Sequence, residues 1–205
     1  MASRKVKGDK TFAGTIKVTN GLARSEVVQT ALAPFPVPFT SLRVWDALAT
    51  NLPGTAANDD LALSGGTFAT NGPRVTAGDL KAAGATTRYA RFQVALPAEY
   101  DAGETITLRI KCGMLTTVAG VSCTVDAQVY KLDGATAIGS DLCATNATTM
   151  NSLTFANKDF TITPTGLVAG DVLDVRLAIA CNDAATVTVV EPAIGAVALL
   201  CDIRA

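Results

Sequence analysis

One feature constrains this chain more than any other. Apolar and polar side chains alternate strictly on both sides of a proline–glycine break. Between Arg91 and Val121, Phe92, Val94 and Leu96 share one phase before the break. Ile106, Leu108, Ile110, Cys112 and Met114 share a phase after it, and Thr105, Thr107, Arg109 and Lys111 take the other. A period of two sends successive side chains to opposite faces, so these segments are half-buried strands. The same unit returns over 160–181: Pro97 matches Pro164, Ala102-Gly103-Glu104 matches Ala169-Gly170-Asp171, and Arg109 matches Arg176. A connection of this length can carry the chain from one sheet to another. Tyr100 and Leu167 would then plug the sandwich end, and the glycine would supply a turn that other residues strain at.

Further strands follow from the same pattern. Val27 to Leu32, Leu42 to Leu48 and Leu61 to Thr70 read as short ones, the last with a kink at Gly65-Gly66. Glu104 to Leu115 reads as a hairpin with Val121 to Leu132. A weaker strand lies near Ala137 to Cys143, and another over Leu153 to Thr163, interrupted at Asn157-Lys158-Asp159. Asp171 to Cys181 and Ile194 to Ile203 complete the set, with Leu173, Val175, Leu177, Ile179 and Val197, Leu199, Cys201 inward. About eight to ten antiparallel strands and no amphipathic helix predict an all-β fold, a two-sheet β-sandwich. Two similar four-strand halves specify a jelly roll of two Greek keys.

The N-terminal part differs. Residues 1–24 hold Arg4, Lys5, Lys7, Lys10, Lys17 and Arg24 against Asp9, a net charge of +5, which leaves -6 for the rest of a chain whose total is -1. Pro34, Pro36 and Pro38 then stand at alternate positions, which favours extended backbone. Two readings stay open for this segment: a stiff spacer that lets an arm reach away, and a proline-rich edge that packs on the sheet. The division drawn here is an extended basic N-terminal arm over 1–39 and a sandwich over 40–205. Charged residues make up only 17% of the chain, below the ~25% usual in soluble domains. Faces covered by other chains would account for that, as would a neutral surface rich in Ala and Thr. The overall charge gives no reason to expect nucleic acid as a partner.

The residue inventory excludes several chemistries. The chain has no histidine, which removes Ser-His-Asp triads, Cys-His dyads and histidine zinc ligands. Its four glutamates, Glu26, Glu99, Glu104 and Glu191, offer little to a paired-carboxylate glycosidase. No catalytic, cofactor-binding or metal site is therefore assigned, and the expectation is a non-enzyme. Asn58-Asp59-Asp60 reads as a turn, although oxygen-rich loops of this kind can hold calcium. Cys112, Cys181 and Cys201 fall on apolar phases as small core residues. Cys112 and Cys123 flank the expected hairpin, where two thiols are favoured over a disulfide. No apolar stretch resembles a secretory signal or is long enough to span a membrane, so assembly in a cytoplasm is expected. A sugar-binding surface would need exposed aromatic rings. The candidates are Trp45, Tyr89, Tyr100 and Tyr130, of which Tyr89 and Tyr130 lie on polar phases.

The runs G-D-L-K-A-A-G-A-T-T-R-Y-A-R-F-Q-V-A-L-P-A-E-Y-D-A-G-E-T-I-T-L-R (78–109) and F-T-I-T-P-T-G-L-V-A-G-D-V-L-D-V-R-L (160–177) resemble jelly-roll proteins encoded among the structural genes of tailed phages. The resemblance extends from about Ser41 to the end. It implies a virion role as a capsid decoration or cement protein, with the major capsid protein and further copies of itself, as a homotrimer, for partners. It carries no functional residue across. The residues expected to touch the partner are Arg4, Lys5, Lys7 and Lys10 in the basic arm, with Phe35 and Phe39 as apolar anchors. The alternatives are a tail fibre or spike module that binds a host glycan, and a shell-forming coat protein.

Overall fold

The computed structural model describes residues 30–81, 84–118, 122–134, 137–183 and 188–204. Ten strands are present among them: β1 (Thr30–Pro36), β2 (Ala62–Ser64), β3 (Arg74–Thr76), β4 (Thr86–Ala95), β5 (Ile106–Met114), β6 (Ser122–Leu132), β7 (Thr148–Thr149), β8 (Ala156–Ile162), β9 (Val172–Asn182) and β10 (Pro192–Arg204). One sheet has the order β2-β3-β10-β5-β8, with β1 added along β10; the other has the order β4-β9-β6-β7. Every pairing between these strands is antiparallel. From β4 onward, all but one step between successive strands changes sheet. That alternation is the winding of a jelly roll, and the fold is a two-sheet β-sandwich of this kind.

The apolar phases meet between the sheets. Ile106, Leu108, Ile110, Cys112 and Met114 of β5 face Leu173, Val175, Leu177 and Ile179 of β9, and all nine are buried. Each such side chain contributes roughly 1.5–3 kcal/mol when fully buried. In β10 a register shift between Ile194 and Ala196 resets the phase, so Ile194 and Val197 both reach the core.

The repeated connections behave as their sequence predicts. Leu96 to Thr105 leads from β4 to β5, and Thr163 to Asp171 leads from β8 to β9, so each crosses between sheets. Tyr100 and Leu167 are buried at the sandwich end. Matching residues make matching bonds. The Tyr100 N–H donates to Pro97 O and the Leu167 N–H to Pro164 O, both at 3.0 Å; Glu104 N–H to Asp101 O and Asp171 N–H to Val168 O are both 3.1 Å. Gly103 (φ 89°) and Gly170 (φ 84°) hold left-handed backbone that a side chain would strain. The two copies also clasp each other, through Leu96 N–H to Asp171 O at 2.8 Å and Gly170 N–H to Leu96 O at 3.1 Å.

Other expectations are corrected. β5 and β6 do not form a hairpin: β5 lies between β10 and β8, and β6 lies in the opposite sheet beside β9. Cys112 is a buried free thiol as expected, but Cys123 is not a second one: it is bonded to Cys181, its direct partner across β6 and β9. Leu42 to Leu48 is a turn rather than a strand, and Ala137 to Cys143 contributes only the bridge from Cys143 to Ile162. Asn157-Lys158-Asp159 does not interrupt β8 but runs along it, with Asp159 bound to Arg109 of β5.

The boundary at residue 39 also moves. Thr30–Pro36 is a full strand of the larger sheet, in register from Thr30 opposite Arg204 to Pro36 opposite Ala198. The Val37 N–H continues the ladder by donating to Val197 O at 2.9 Å. N–H groups alternate in direction along a strand, so Pro34, Pro36 and Pro38 fall where the missing N–H would have faced the open edge. The alternate prolines therefore close an edge, the second of the two readings above. The basic residues expected to touch a partner, Arg4, Lys5, Lys7 and Lys10, lie outside the described residues.

Candidate binding face on the four-stranded sheet

The outward phase of β4, β9 and β6 forms a patterned surface. Reading across the strands, the rows are Thr87–Ala180–Thr124, Tyr89–Ala178–Asp126, Arg91–Arg176–Gln128 and Gln93–Asp174–Tyr130. Two depressions lie along it. One, of about 230 Å³, is lined by residues including Thr87, Tyr89, Thr124, Asp126 and Ala178; the other, of about 320 Å³, includes Trp45, Asp46, Tyr130 and Ile138. Both include Gln128 and Arg176, so they form one trench running along the strands.

The loop after β1 completes the trench. Arg43 and Arg91 exchange backbone hydrogen bonds of 2.7 and 3.0 Å, and the Val44 N–H closes a turn onto Thr50 O at 3.0 Å. This seats Trp45 over the sheet. Its indole N–H donates to Asp59 Oδ2 at 2.9 Å, and its ring centroid lies 5.2 Å from that of Tyr89. The Arg176 guanidinium sits over both rings, 5.3 Å from the Trp45 centroid and 4.7 Å from that of Tyr89. It also donates through Nη2 to Gln128 Oε1. Such cation–ring contacts contribute roughly 0.5–2 kcal/mol each and fix the direction of the guanidinium.

Arg91 and Arg176 are direct neighbours across β4 and β9, a repulsive arrangement on its own. Asp174 relieves it. This carboxylate is buried to 3% exposure and takes a forked pair from Arg91, Nε to Oδ1 at 2.8 Å and Nη2 to Oδ2. The hydrogen bonds that Arg91 donates to the Asp174 carboxylate raise the Arg91 pKa. Arg176 makes no ion pair among the described residues. Burial pushes the Asp126 carboxyl above its usual range and Asp141 adds to this, against the Ala127 N–H and Arg176, which pull it down. At the loop, burial and then Asp59 and Asp46 raise Asp60, whose Oδ1 is buried without a hydrogen-bond partner.

Of the aromatic residues singled out in the sequence, Trp45, Tyr89 and Tyr130 come together here, and Tyr100 is in the core. Phe35 and Phe39 do not serve as free anchors, because both are half-buried against the chain's own core. Asn58-Asp59-Asp60 is a turn, with the Asp60 N–H on Ala57 O at 2.9 Å and Asp59 committed to Trp45. Among the described residues no group of three or more Cys, Asp or Glu side chains is arranged to hold a metal ion. Sequence reasoning did not find Arg176, Gln128 or Asp174. Their outward phase was readable, but the pairing that sets them beside Tyr89 is non-local.

No family model and no curated protein matches the sequence. Solved structures with a similar course include the xylan-binding module CBM15, at 14% identity over 85% of this chain and 100% of that one, TM-score 0.43. Another is the mannan-recognising module TmCBM27, at 13% identity over 84% and 98%, TM-score 0.42. A chain of infectious bursal disease virus, Gx strain, is 14% identical over 92% of this chain and 53% of that one, TM-score 0.30. At these identities and scores the likeness is one of architecture alone, and the jelly roll rests on the strand order above.

Proposed function

We propose that this chain is a non-catalytic virion structural protein that decorates or cements an icosahedral phage head, as a trimer docked against capsid subunits. The observation that supports this best is a finger between β2 and β3. Residues 65–73 (G-G-T-F-A-T-N-G-P) are all exposed and carry no charge, and Phe68 is fully exposed. The finger is nonetheless tightly built. The Thr70 and Asn71 N–H groups both donate to Thr67 O at 2.9 Å, and the Thr67 N–H donates to Asn71 Oδ1 at 2.5 Å. Gly66, at φ 68°, has no room for a Cβ, which would meet Asn71 O at 2.3 Å. A large apolar side chain held in water forgoes roughly 1.5–3 kcal/mol of burial. A rigid mount lets it recover that energy on docking with little loss of conformational freedom.

The resemblance to phage structural proteins and the low charge of the sandwich support the same reading. The basic residues 1–24 would add a tether that raises the effective concentration of the docked body. The test is co-sedimentation of the purified chain with heads that lack it. The parent chain is expected to sediment with the heads. Phe68→Ser should weaken that binding at least tenfold without lowering the melting temperature. Failure of the parent chain to bind, or unchanged binding by the variant, would refute the proposal.

A further inference from the structure

The trench across β4, β9 and β6 is more finished than docking by the finger requires. Arg176 is held from three directions, by the Trp45 ring, the Tyr89 ring and Gln128. Trp45 is itself fixed by Asp59. Arg91, by contrast, forks onto Asp174 through Nε and Nη2, and its Nη1 donates to Trp45 O at 3.5 Å. The effect is to neutralise one of two adjacent guanidinium groups and to orient the other without an ion pair.

The charge of the lining decides which ligand suits it. Arg91 and Arg176 stand against Asp46, Asp126 and Asp174, so the trench has no positive excess. A phosphate, a nucleic acid or a uronic acid polymer gains nothing there, because anionic chains are held by an excess of Lys and Arg. What the lining does offer is hydrogen bonding of both senses over a short span. Arg176 donates, Asp126 accepts, Gln128 does both, and Thr87 and Thr124 add hydroxyl groups. Tyr130 supplies an aromatic ring beside Ile138 at the far end. Hydroxyl groups on a partly apolar ring answer all of these at once. The lining residues span four successive rows along the strands, which suits a chain lying along the trench better than a single enclosed molecule.

We propose that this face binds a neutral polysaccharide, with Arg176, Gln128 and Asp126 bonding its hydroxyl groups and Tyr130 packing on a sugar ring. The orienting contacts are already made in the free protein, so binding spends little on ordering side chains. This activity is separate from head docking. It uses the outer face of the smaller sheet, whereas the finger joins β2 to β3 of the larger one.

The test uses the labelled full-length chain on a printed array of neutral and acidic oligosaccharides, with Gln128→Ala, Tyr130→Ala and Arg176→Lys beside it. The last keeps the charge and loses the planar fork. At least one neutral oligosaccharide should be bound, in preference to acidic ones. Binding should fall at least tenfold in Gln128→Ala or Tyr130→Ala, both at the surface, at an unchanged melting temperature. Phe68→Ser should bind like the parent, which separates a failure here from a failure of the head-docking proposal. The inference is overturned if no neutral oligosaccharide is bound, if acidic ones are preferred, or if both surface variants bind like the parent. Capture of protein instead of glycan on the same face would overturn it equally.

Discussion

Single residues decide how closely the outer face of the larger sheet can be covered. The Phe155 ring lies where a Cβ on either of two glycines would go. From Gly113 it would meet Phe155 Cδ2 at 2.9 Å and Ser152 O at 3.0 Å, and from Gly195 it would meet Phe155 Cδ1 at 3.2 Å. Gly113→Ala is expected to cost about 1–3 kcal/mol by overpacking. Urea denaturation measures this, and the cost should shrink when Phe155→Ala is added. The cysteines make a second prediction at this scale. Cys112 and Cys201 are buried thiols whose pKa burial pushes up to about 11, and burial raises Cys143 as well. Native protein at pH 8 should react slowly with iodoacetamide. Unfolded protein should show three thiols before reduction and five after, with stability lower by about 2–4 kcal/mol once the Cys123–Cys181 loop is opened. Burial of Cys112 and Cys201 was legible from strand phase. The disulfide was not, because Cys123 and Cys181 meet only through a pairing 58 residues apart in sequence.

Among the elements, the two crossover connections carry the repeat, and one of them sets an acid limit. Burial raises the Asp171 carboxyl, but Lys131 Nζ at 2.7 Å and the Val168 N–H at 2.8 Å more than offset it, so its pKa is lowered. A lowered carboxylate pKa contributes stability above the unfolded value of about 3.9, and that contribution is lost as pH falls through the folded value. Asp171→Asn should therefore cost about 1 kcal/mol at pH 7 and almost nothing near pH 2, as read from urea midpoints at the two pH values. An equal cost at both would place the effect in packing instead. These connections were legible because proline, plug residue, glycine and acid recur in one order. The step from β5 to β6 misled for a physical reason. Two alternating strands joined by a short link look alike whether they pair or face each other across a core. β1 was ambiguous for a related reason, since alternate prolines suit both a free spacer and an edge whose inward N–H groups remain available.

At the scale of the whole molecule, alternation specified two sheets, and the repeat specified how they wind into a jelly roll. The trench on the smaller sheet was only half legible. Tyr89 and Tyr130 could be placed on an outward phase, but the rows that join them to Arg176 and Gln128 come from pairings between β4, β9 and β6 that are distant in sequence. The finger was misread as the end of a strand over Leu61 to Thr70 kinked at Gly65-Gly66, whereas β2 stops at Ser64. The finger's tight build depends on the Thr70 and Asn71 N–H groups donating to Thr67 O, which residue type does not announce. The low charge gains a place in the structure as well. It leaves surfaces such as residues 65–73 free of the solvation that would resist docking.

Electron cryomicroscopy of the assembled particle tests the central claim most directly. The account predicts sandwich-shaped density clustered in threes on the outside of the head, with the Phe68 finger buried against a capsid subunit. A head surface bare of this chain, or copies whose fingers point into solvent, would contradict it.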